Sequence, residues 1–479
     1  MTTNLLETFQ GAVREHGPKT AIIEGDGTTV SFDELASRIS ATSENWQKQG
    51  IGPGDQILIA MPISANLYVT LAALWSLGAT AVLPEPAMGL AGVRHALKSL
   101  KIKGLAATGT YRFLKLISPL LWSKPLIAPT DGAGNQPDMG DMGDMGDAPA
   151  LISFTSGTTG QPKEIARDHQ FLMAQYKAVE PLLRSDRPEV DLVTFPVFVL
   201  INLAAGRTSV LPNWRMSRLD HVSPETLAES ISKNGLTRAL LPPALTSKLA
   251  KARSLPPSFS HVFTGGGPVF PDLVDALLAA HSNLSLTSVY GSTEAEPIAH
   301  IDAADVSLAD LNVMKQGHGL LVGTPVPEVQ LKIVEDEILV SGNHVNKTYL
   351  NPEHDLKNKV KDGKTIWHRT GDAGRIDDQG RLWLLGRWSA KVGCLFPFQI
   401  ELATRFWSGV ENAAVIEIND QPVLAIQGEQ EYRQIWIENG QANFPDVQII
   451  PIPKIPLDRR HRSKTDLHAL RKILQRNLR

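Results

Sequence analysis

Along this chain, apolar residues alternate between the spacing of a helix and the short unbroken blocks of buried strands. Leu5, Leu6, Phe9 and Val13 fall on one helical face, and Gly17-Pro18 ends that helix. Residues 20–24 and 28–31 bracket Gly25-Asp26-Gly27 and predict a hairpin. Phe32-Asp33-Glu34-Leu35 opens a second helix, and Gly52-Pro53-Gly54-Asp55 turns the chain into a strand over 56–61. The apolar stretch 67–83 is broken by Thr70, Ser76, Gly78 and Thr80. It predicts a core helix followed by a strand, not a membrane span. Further short strands are expected at 192–195, 236–241, 261–264 and 286–290, each running into a loop that contains Pro or Gly. Such alternation predicts a parallel sheet with covering helices, and ligands then collect beyond the carboxyl ends of the strands.

The second half changes character. A hairpin is expected over 329–334 and 337–341, and a second β pair over 374–376 and 381–385 around Asp377-Asp378-Gln379-Gly380. Two more strands follow at 413–417 and 422–427, then helices. The pattern predicts an α/β fold. Residues 1–388 form a large N-terminal domain of mixed α/β sheets with a β-rich subdomain. Residues 389–479 form a small α+β C-terminal domain, with the boundary near Ser389.

Composition narrows the function. Hydrophobic residues make up 42% and charged residues 20%, and the net charge of −3 gives no reason to expect a nucleic-acid partner. The single cysteine, Cys394, excludes an internal disulfide framework. It reads as a buried or half-buried thiol in a reducing, cytoplasmic setting. No signal peptide or spanning segment is expected; peripheral membrane contact stays open. The acidic Asp-Met-Gly repeats at 138–147 predict a surface loop.

Chemistry concentrates in Ser153-Phe154-Thr155-Ser156-Gly157-Thr158-Thr159-Gly160-Gln161-Pro162-Lys163. Glycines let backbone N–H groups turn toward an anion, hydroxyls add neutral donors, and Lys163 supplies a charge for phosphate oxygens. An apolar strand at 150–152 feeds this loop, as a phosphate cradle requires. The common P-loop is excluded, because Gln161-Pro162 separates Gly160 from the lysine. No G-x-S-x-G elbow is present, which argues against a serine hydrolase. The histidines show no metal-ligand spacing.

The loop resembles the phosphate-binding motif of the adenylate-forming superfamily, which includes acyl-CoA synthetases, peptide-synthetase adenylation domains and luciferases. Tyr290-Gly291-Ser292-Thr293-Glu294 resembles its aromatic-G-x-T-E motif and follows Gly265-Gly266-Gly267. Tyr290 offers a flat face to adenine and Glu294 a hard oxygen to Mg²⁺. Thr370-Gly371-Asp372 resembles the ribose motif, and Gly386-Arg387 the motif that precedes the hinge. The tail Pro456-Leu457-Asp458-Arg459-Arg460-His461-Arg462-Ser463-Lys464 resembles the segment whose lysine enters the site during adenylation. It precedes a helix with Leu467, Leu470, Leu474 and Leu478 on one face.

The resemblance spans nearly the whole chain and implies a mobile C-terminal domain pivoting at Ser389. Within the superfamily the likeness is closest to fatty-acyl ligases and olefin-pathway β-lactone synthetases, through Ala87-Met88-Gly89-Leu90, 263–271 and 458–464. It implies Lys464, Glu294 and Thr155 in catalysis, with Glu294 holding the metal. It implies Ser156, Gly157, Thr158, Thr159, Gly160, Lys163, Gly265, Gly266, Gly267, Tyr290, Gly291, Ser292, Thr293, Asp372 and Arg387 around the nucleotide. Phe195, Phe198 and Leu203 form an apolar wall without an obvious Asp or Arg, which suits a fatty-acyl-like acid. The implied reaction joins a carboxylate to ATP with Mg²⁺, releasing pyrophosphate. Coenzyme A or another acceptor then takes the acyl group, or a β-hydroxyl of the substrate closes a β-lactone. Three departures bear on activity. Glu164 follows Lys163 and either weakens anion binding or points to solvent. Ser389 replaces the usual hinge Asp or Lys, and Val199 lies near the place of an expected histidine. A non-catalytic nucleotide-binding homologue is the alternative.

Overall fold

The structure is a computed structural model that describes residues 4–84, 89–132, 149–156, 162–457 and 465–477. The first helix, Leu5–His16, begins where the Asn4 side chain accepts the Glu7 N–H at 3.0 Å. Ser31 caps the next, Phe32–Lys48, in the same way. The apolar stretch resolves into a buried helix, Ala65–Ser76, and a strand, Thr80–Leu83. Among the described residues no helix is long and apolar enough to cross a membrane.

Three sheets organise the chain. In the first, parallel strands Thr20–Ile23, Thr208–Val210, Val190–Val193, Arg238–Leu241, His261–Gly265 and Ser285–Ser292 lie side by side. The β-rich region does not form a separate layer. Ala295–Asp302 turns back antiparallel on Ser285–Ser292 and pairs with Leu320–Pro325, which extends the same sheet through Leu382–Arg387, Thr365–Ile376, Glu337–Gly342 and Val329–Val334. The second sheet stacks Leu126–Ile127, Ile102–Ala107, Gln56–Ala60, Thr80–Leu83, Pro149–Ser156 and Pro162–Asp168. The third is small: Val410–Ile418, Gln421–Gly428 and Gln448–Pro451.

The helix Pro397–Arg405 joins the large and small parts. Leu402 enters the core with Ala295 and Ile298, whereas Ile400 enters the one around Trp436. Arg405 also reaches Asp272 at 3.0 Å and lies 4.1 Å from the Phe270 ring centroid. On the last helix, Leu467–Asn477, Leu470 and Leu474 are buried but Leu467 is 44% exposed, so the apolar face starts one turn later than the spacing predicts. Leu478 lies outside the described residues. Cys394 is exposed, not buried, because it sits in the turn before that connecting helix, which packs through Ile400 and Leu402 instead.

Candidate active site

The phosphate-loop motif is a hairpin. Pro149–Ser156 pairs antiparallel with Pro162–Asp168, setting Thr155 opposite Lys163 and Ser156 opposite Pro162. Strand structure therefore runs on through 153–156, which the hydroxyl-rich sequence reads as loop. Gly157, Thr158, Thr159 and Gly160 lie outside the described residues, as does Lys464. The ends of the segment carrying Lys464 are closed by a bridge between Leu457 and Thr465.

Lys163 leaves the hairpin to donate to Asn358 Oδ1 at 2.9 Å, and its Nζ stands 5.5 Å from the centre of the Tyr349 ring. Burial lowers its pKa, while Glu294 opposes that and Arg387 adds to it. The hairpin lysine, Glu294 and Arg387 are thus within electrostatic reach of one another.

Glu294 occupies the turn between Ser285–Ser292 and Ala295–Asp302, where Ser292 pairs with Ala295. Arg167 donates to the Thr293 carbonyl at 2.8 Å and Asn346 N–H to the Glu294 carbonyl at 2.7 Å, so the turn is held from two sides. Gly291 eases the turn: a Cβ would meet the Ala295 carbonyl at 3.0 Å, tighter than an ordinary contact. Tyr349 Oη donates to Glu294 Oε1 at 3.1 Å. Burial, then the charge of Glu294, pushes the Tyr349 phenol up and keeps it a donor. Ser292 Oγ is buried with no hydrogen-bond partner among the described residues.

Tyr290 is one register position from this turn, and its Oη donates to Asp372 Oδ2 at 2.9 Å. Asp372 and Arg387 face each other across neighbouring strands, and Arg387 Nη1 meets Asp372 Oδ1 at 2.7 Å. Thr370-Gly371-Asp372 is the interior of the strand Thr365–Ile376. The positive φ of Gly371, 71°, lets the strand bend there. Burial and the Asp372 charge keep Tyr290 protonated.

The Gly265-Gly266-Gly267 segment lies beside Tyr290 because Gly265 pairs with Val289. A Cβ on Gly265 would sit 2.5 Å from the Val289 carbonyl oxygen, and Gly266 (φ 77°) passes under the Phe195 ring. Beyond them opens a cleft lined by Phe195, Phe198, Phe263, Leu183 and Leu240. Phe195 and Phe198 both line it. Leu203 does not: it faces a different cavity with Leu5, Phe9 and Trp75, because Phe198 and Leu203 lie on different faces of the helix Pro196–Ala204. The cleft is not free of acids either, since Glu296 lines it; the buried Arg167 is close enough for its charge to oppose that of Glu296. Glu164 neither faces solvent nor stands bare beside the phosphate hairpin: it is buried and meets His95 Nε2 at 2.5 Å. Ser389 lies in the one-turn helix Trp388–Ala390, immediately after Arg387.

Sequence reasoning missed Tyr349, Asn358 and Lys359. Lys359 Nζ is 4.9 Å from the Tyr349 ring centre, and burial lowers its pKa to about 8. Nothing in the polar sequence around 349–364 marks these residues; a bridge from Ile165 to Tyr349 and the pairing of Lys359–Asp362 with Thr365–Ile376 bring them together.

The family model described as AMP-binding enzyme matches residues 9–350. An olefin β-lactone synthetase of Stenotrophomonas maltophilia is 26% identical, covering 91% of this chain and 89% of that protein. A second one, from Xanthomonas campestris pv. campestris, is 28% identical over 83% of this chain and 80% of its own length. The O-succinylbenzoate coenzyme A synthetase of Bacillus subtilis, solved with ATP and a magnesium ion, shares the fold with a TM-score of 0.78 at 20% identity, covering 95% of this chain and 97% of that one. With the family match covering most of its length, the chain belongs to the AMP-binding enzyme family.

Proposed function

We propose that the protein activates a carboxylic acid with an apolar chain as its acyl-adenylate and then passes the acyl group on. The observation that carries this reading is the abutment of two unlike surfaces. A polar cluster of Tyr290, Asp372, Arg387, Lys163 and Glu294 ends where the apolar cleft of Phe195, Phe198 and Phe263 begins. The Gly265–Gly266 backbone lies between them.

In this reading Asp372 accepts from the ribose hydroxyls and Arg387 orients it. Lys163, Lys359 and the hydroxyls of Thr155, Ser156 and Thr158 surround the phosphates. The acid's carboxylate oxygen attacks the α-phosphorus of ATP, the bond to the β-phosphate oxygen breaks, and pyrophosphate leaves. Two anions must meet, so orientation and charge neutralisation supply most of the acceleration. Among the described residues no three His, Cys, Asp or Glu side chains cluster to hold a metal. Glu294, a single carboxylate, would hold Mg²⁺ together with oxygens of the bound phosphates. When bound it would neutralise phosphate charge. Lys464 delivers the remaining charge as the small domain closes, and Ser389 is the pivot.

For the second step the likeness to two olefin β-lactone synthetases favours one route over transfer to coenzyme A. The substrate's β-hydroxyl attacks the acyl carbonyl, gives up its proton, closes a four-membered ring and expels AMP. Pyrophosphate exchange across a panel of fatty, β-hydroxy, aryl and amino acids tests the first step. Exchange with apolar acids, abolished in Lys464→Ala while ATP still binds, is expected. ATP binding without exchange for any acid would mark a non-catalytic homologue. Exchange with amino acids alone would refute the apolar substrate. Mass analysis of products with and without coenzyme A then separates lactone from thioester.

A further inference from the structure

From Pro86 to Thr130 the sequence contains no Asp or Glu, yet it carries Arg94, Lys98, Lys101, Lys103, Arg112, Lys115 and Lys124; the acids resume at Asp131. Lys103 is paired with Asp55 at 2.6 Å. None of the ion pairs among the described residues involves the other six. The same stretch exposes Tyr111, Phe113, Leu116, Ile117, Leu120 and Trp122, with Leu116 at 69% and Trp122 at 64%. Elsewhere among the described residues, no stretch of similar length exposes as many large apolar side chains.

This is a built surface, not a frayed loop. The short helical turns Gly109–Phe113, Leu114–Ile117 and Pro119–Leu121 pack on one another. Leu121 is fully buried in the core that also holds Val93 and Ala96 of the helix Gly89–Ser99. Trp122 Nε1 donates to the Leu116 carbonyl at 3.4 Å. The Leu105 N–H donates to the Pro125 carbonyl at 2.9 Å, which ties the end of the segment to the second sheet. The apolar side chains face outward while their backbone is anchored.

We infer that this face docks the protein on an anionic lipid surface. Apolar and aromatic groups interleaved with unpaired cations suit the headgroup boundary, where rings sit at the interface and Lys and Arg meet phosphate. A protein partner fits less well, because protein interfaces are depleted in lysine. A second copy fits worse, since a two-fold contact through this face would set like charges together. The inference does not depend on the proposed reaction.

The test is co-sedimentation of the full chain with phosphatidylcholine vesicles with and without phosphatidylserine. Two variants are compared: Phe113→Ser/Leu116→Ser, and Arg112→Gln. All three side chains are exposed, so thermal melting is expected to stay unchanged. The wild type is expected to bind only the anionic vesicles and to release at high salt. Arg112→Gln should weaken partitioning about fivefold. The double variant should abolish it. Failure of the wild type to bind anionic vesicles at low salt would overturn the inference, as would binding that neither variant weakens. A dimer seen by light scattering, lost in the double variant and accompanied by no vesicle binding, would assign the face to a second copy instead.

Discussion

Glu401 offers a quantitative test of how the small domain is held. It lies on the connecting helix Pro397–Arg405, is 8% exposed, and accepts the Val415 N–H at 2.9 Å through Oε1. Burial raises its pKa from 4.5 to about 7, against smaller lowering effects from that hydrogen bond and Arg405. A carboxyl whose folded pKa lies above its unfolded one stabilises the fold below the unfolded value. That contribution is lost as pH rises through the folded value. At about 1.4 kcal/mol per pH unit, the loss between pH 4.5 and pH 8 is about 3 kcal/mol.

Glu401→Gln keeps an oxygen for the Val415 N–H and cannot ionise. Its amide nitrogen adds an offset that does not change with pH, so the pH dependence carries the test. A chain with several cores need not unfold in one step. Local opening measured by hydrogen exchange over 397–418, corrected for intrinsic rates, is therefore the suitable assay. The wild type should lose about 2.5 kcal/mol of protection, a factor of about 70, between pH 5 and pH 8 relative to the variant. Parallel profiles for the two proteins would refute the reasoning.

Lys359 carries its charge below about pH 8 and loses it above, so ATP affinity should fall through that pH in the wild type and stay flat in Lys359→Met, as calorimetric titration from pH 7 to pH 10 would show. Asp372→Asn breaks an ion pair whose arginine is 49% exposed, so melting should move little, whereas ATP affinity should drop roughly tenfold or more if Asp372 holds ribose. An unchanged affinity would remove Asp372 from the site. Gly265→Ala forces a Cβ to 2.5 Å from a backbone oxygen and should cost roughly 1–3 kcal/mol in thermal denaturation, with loss of pyrophosphate exchange.

Most elements were legible because their apolar spacing is strong: the helix Ala65–Ser76, the strand His261–Gly265 and the hairpin Val329–Val334 with Glu337–Gly342 fall where the pattern puts them. The order of motifs identified the family. What stayed hidden was cross-strand register. Asp372 and Arg387 are fifteen residues apart in sequence and face each other only because Thr365–Ile376 pairs with Leu382–Arg387. Side-chain direction was equally hidden. Composition marks 195–203 as apolar but does not say that Phe198 and Leu203 face different cavities. Glu164 reads as an acid that either weakens anion binding or points to solvent until His95 is brought to it from another element.

The polar half of the site is set before any ligand arrives, and hydrogen-bond counting shows why this need not obstruct binding. A carboxylate has about four acceptor positions. Asp372 uses one oxygen for Arg387 and the other for Tyr290, so both oxygens keep capacity for two vicinal hydroxyls. Glu294 likewise accepts from Tyr349 through Oε1, and its carboxylate retains acceptor positions for a cation. The partners fix the direction of each carboxylate, so the ordering entropy is met in folding and not again on binding. The apolar cleft works differently: Phe195, Phe198 and Phe263 supply area without direction. In the proposed reaction, orientation of the acid would then come from its carboxylate end, between the glycine backbone and the polar cluster. Under the proposed adenylation, an apolar tail could vary in length at modest cost, whereas a shift in the Asp372–Arg387 pair would move the reacting phosphorus itself.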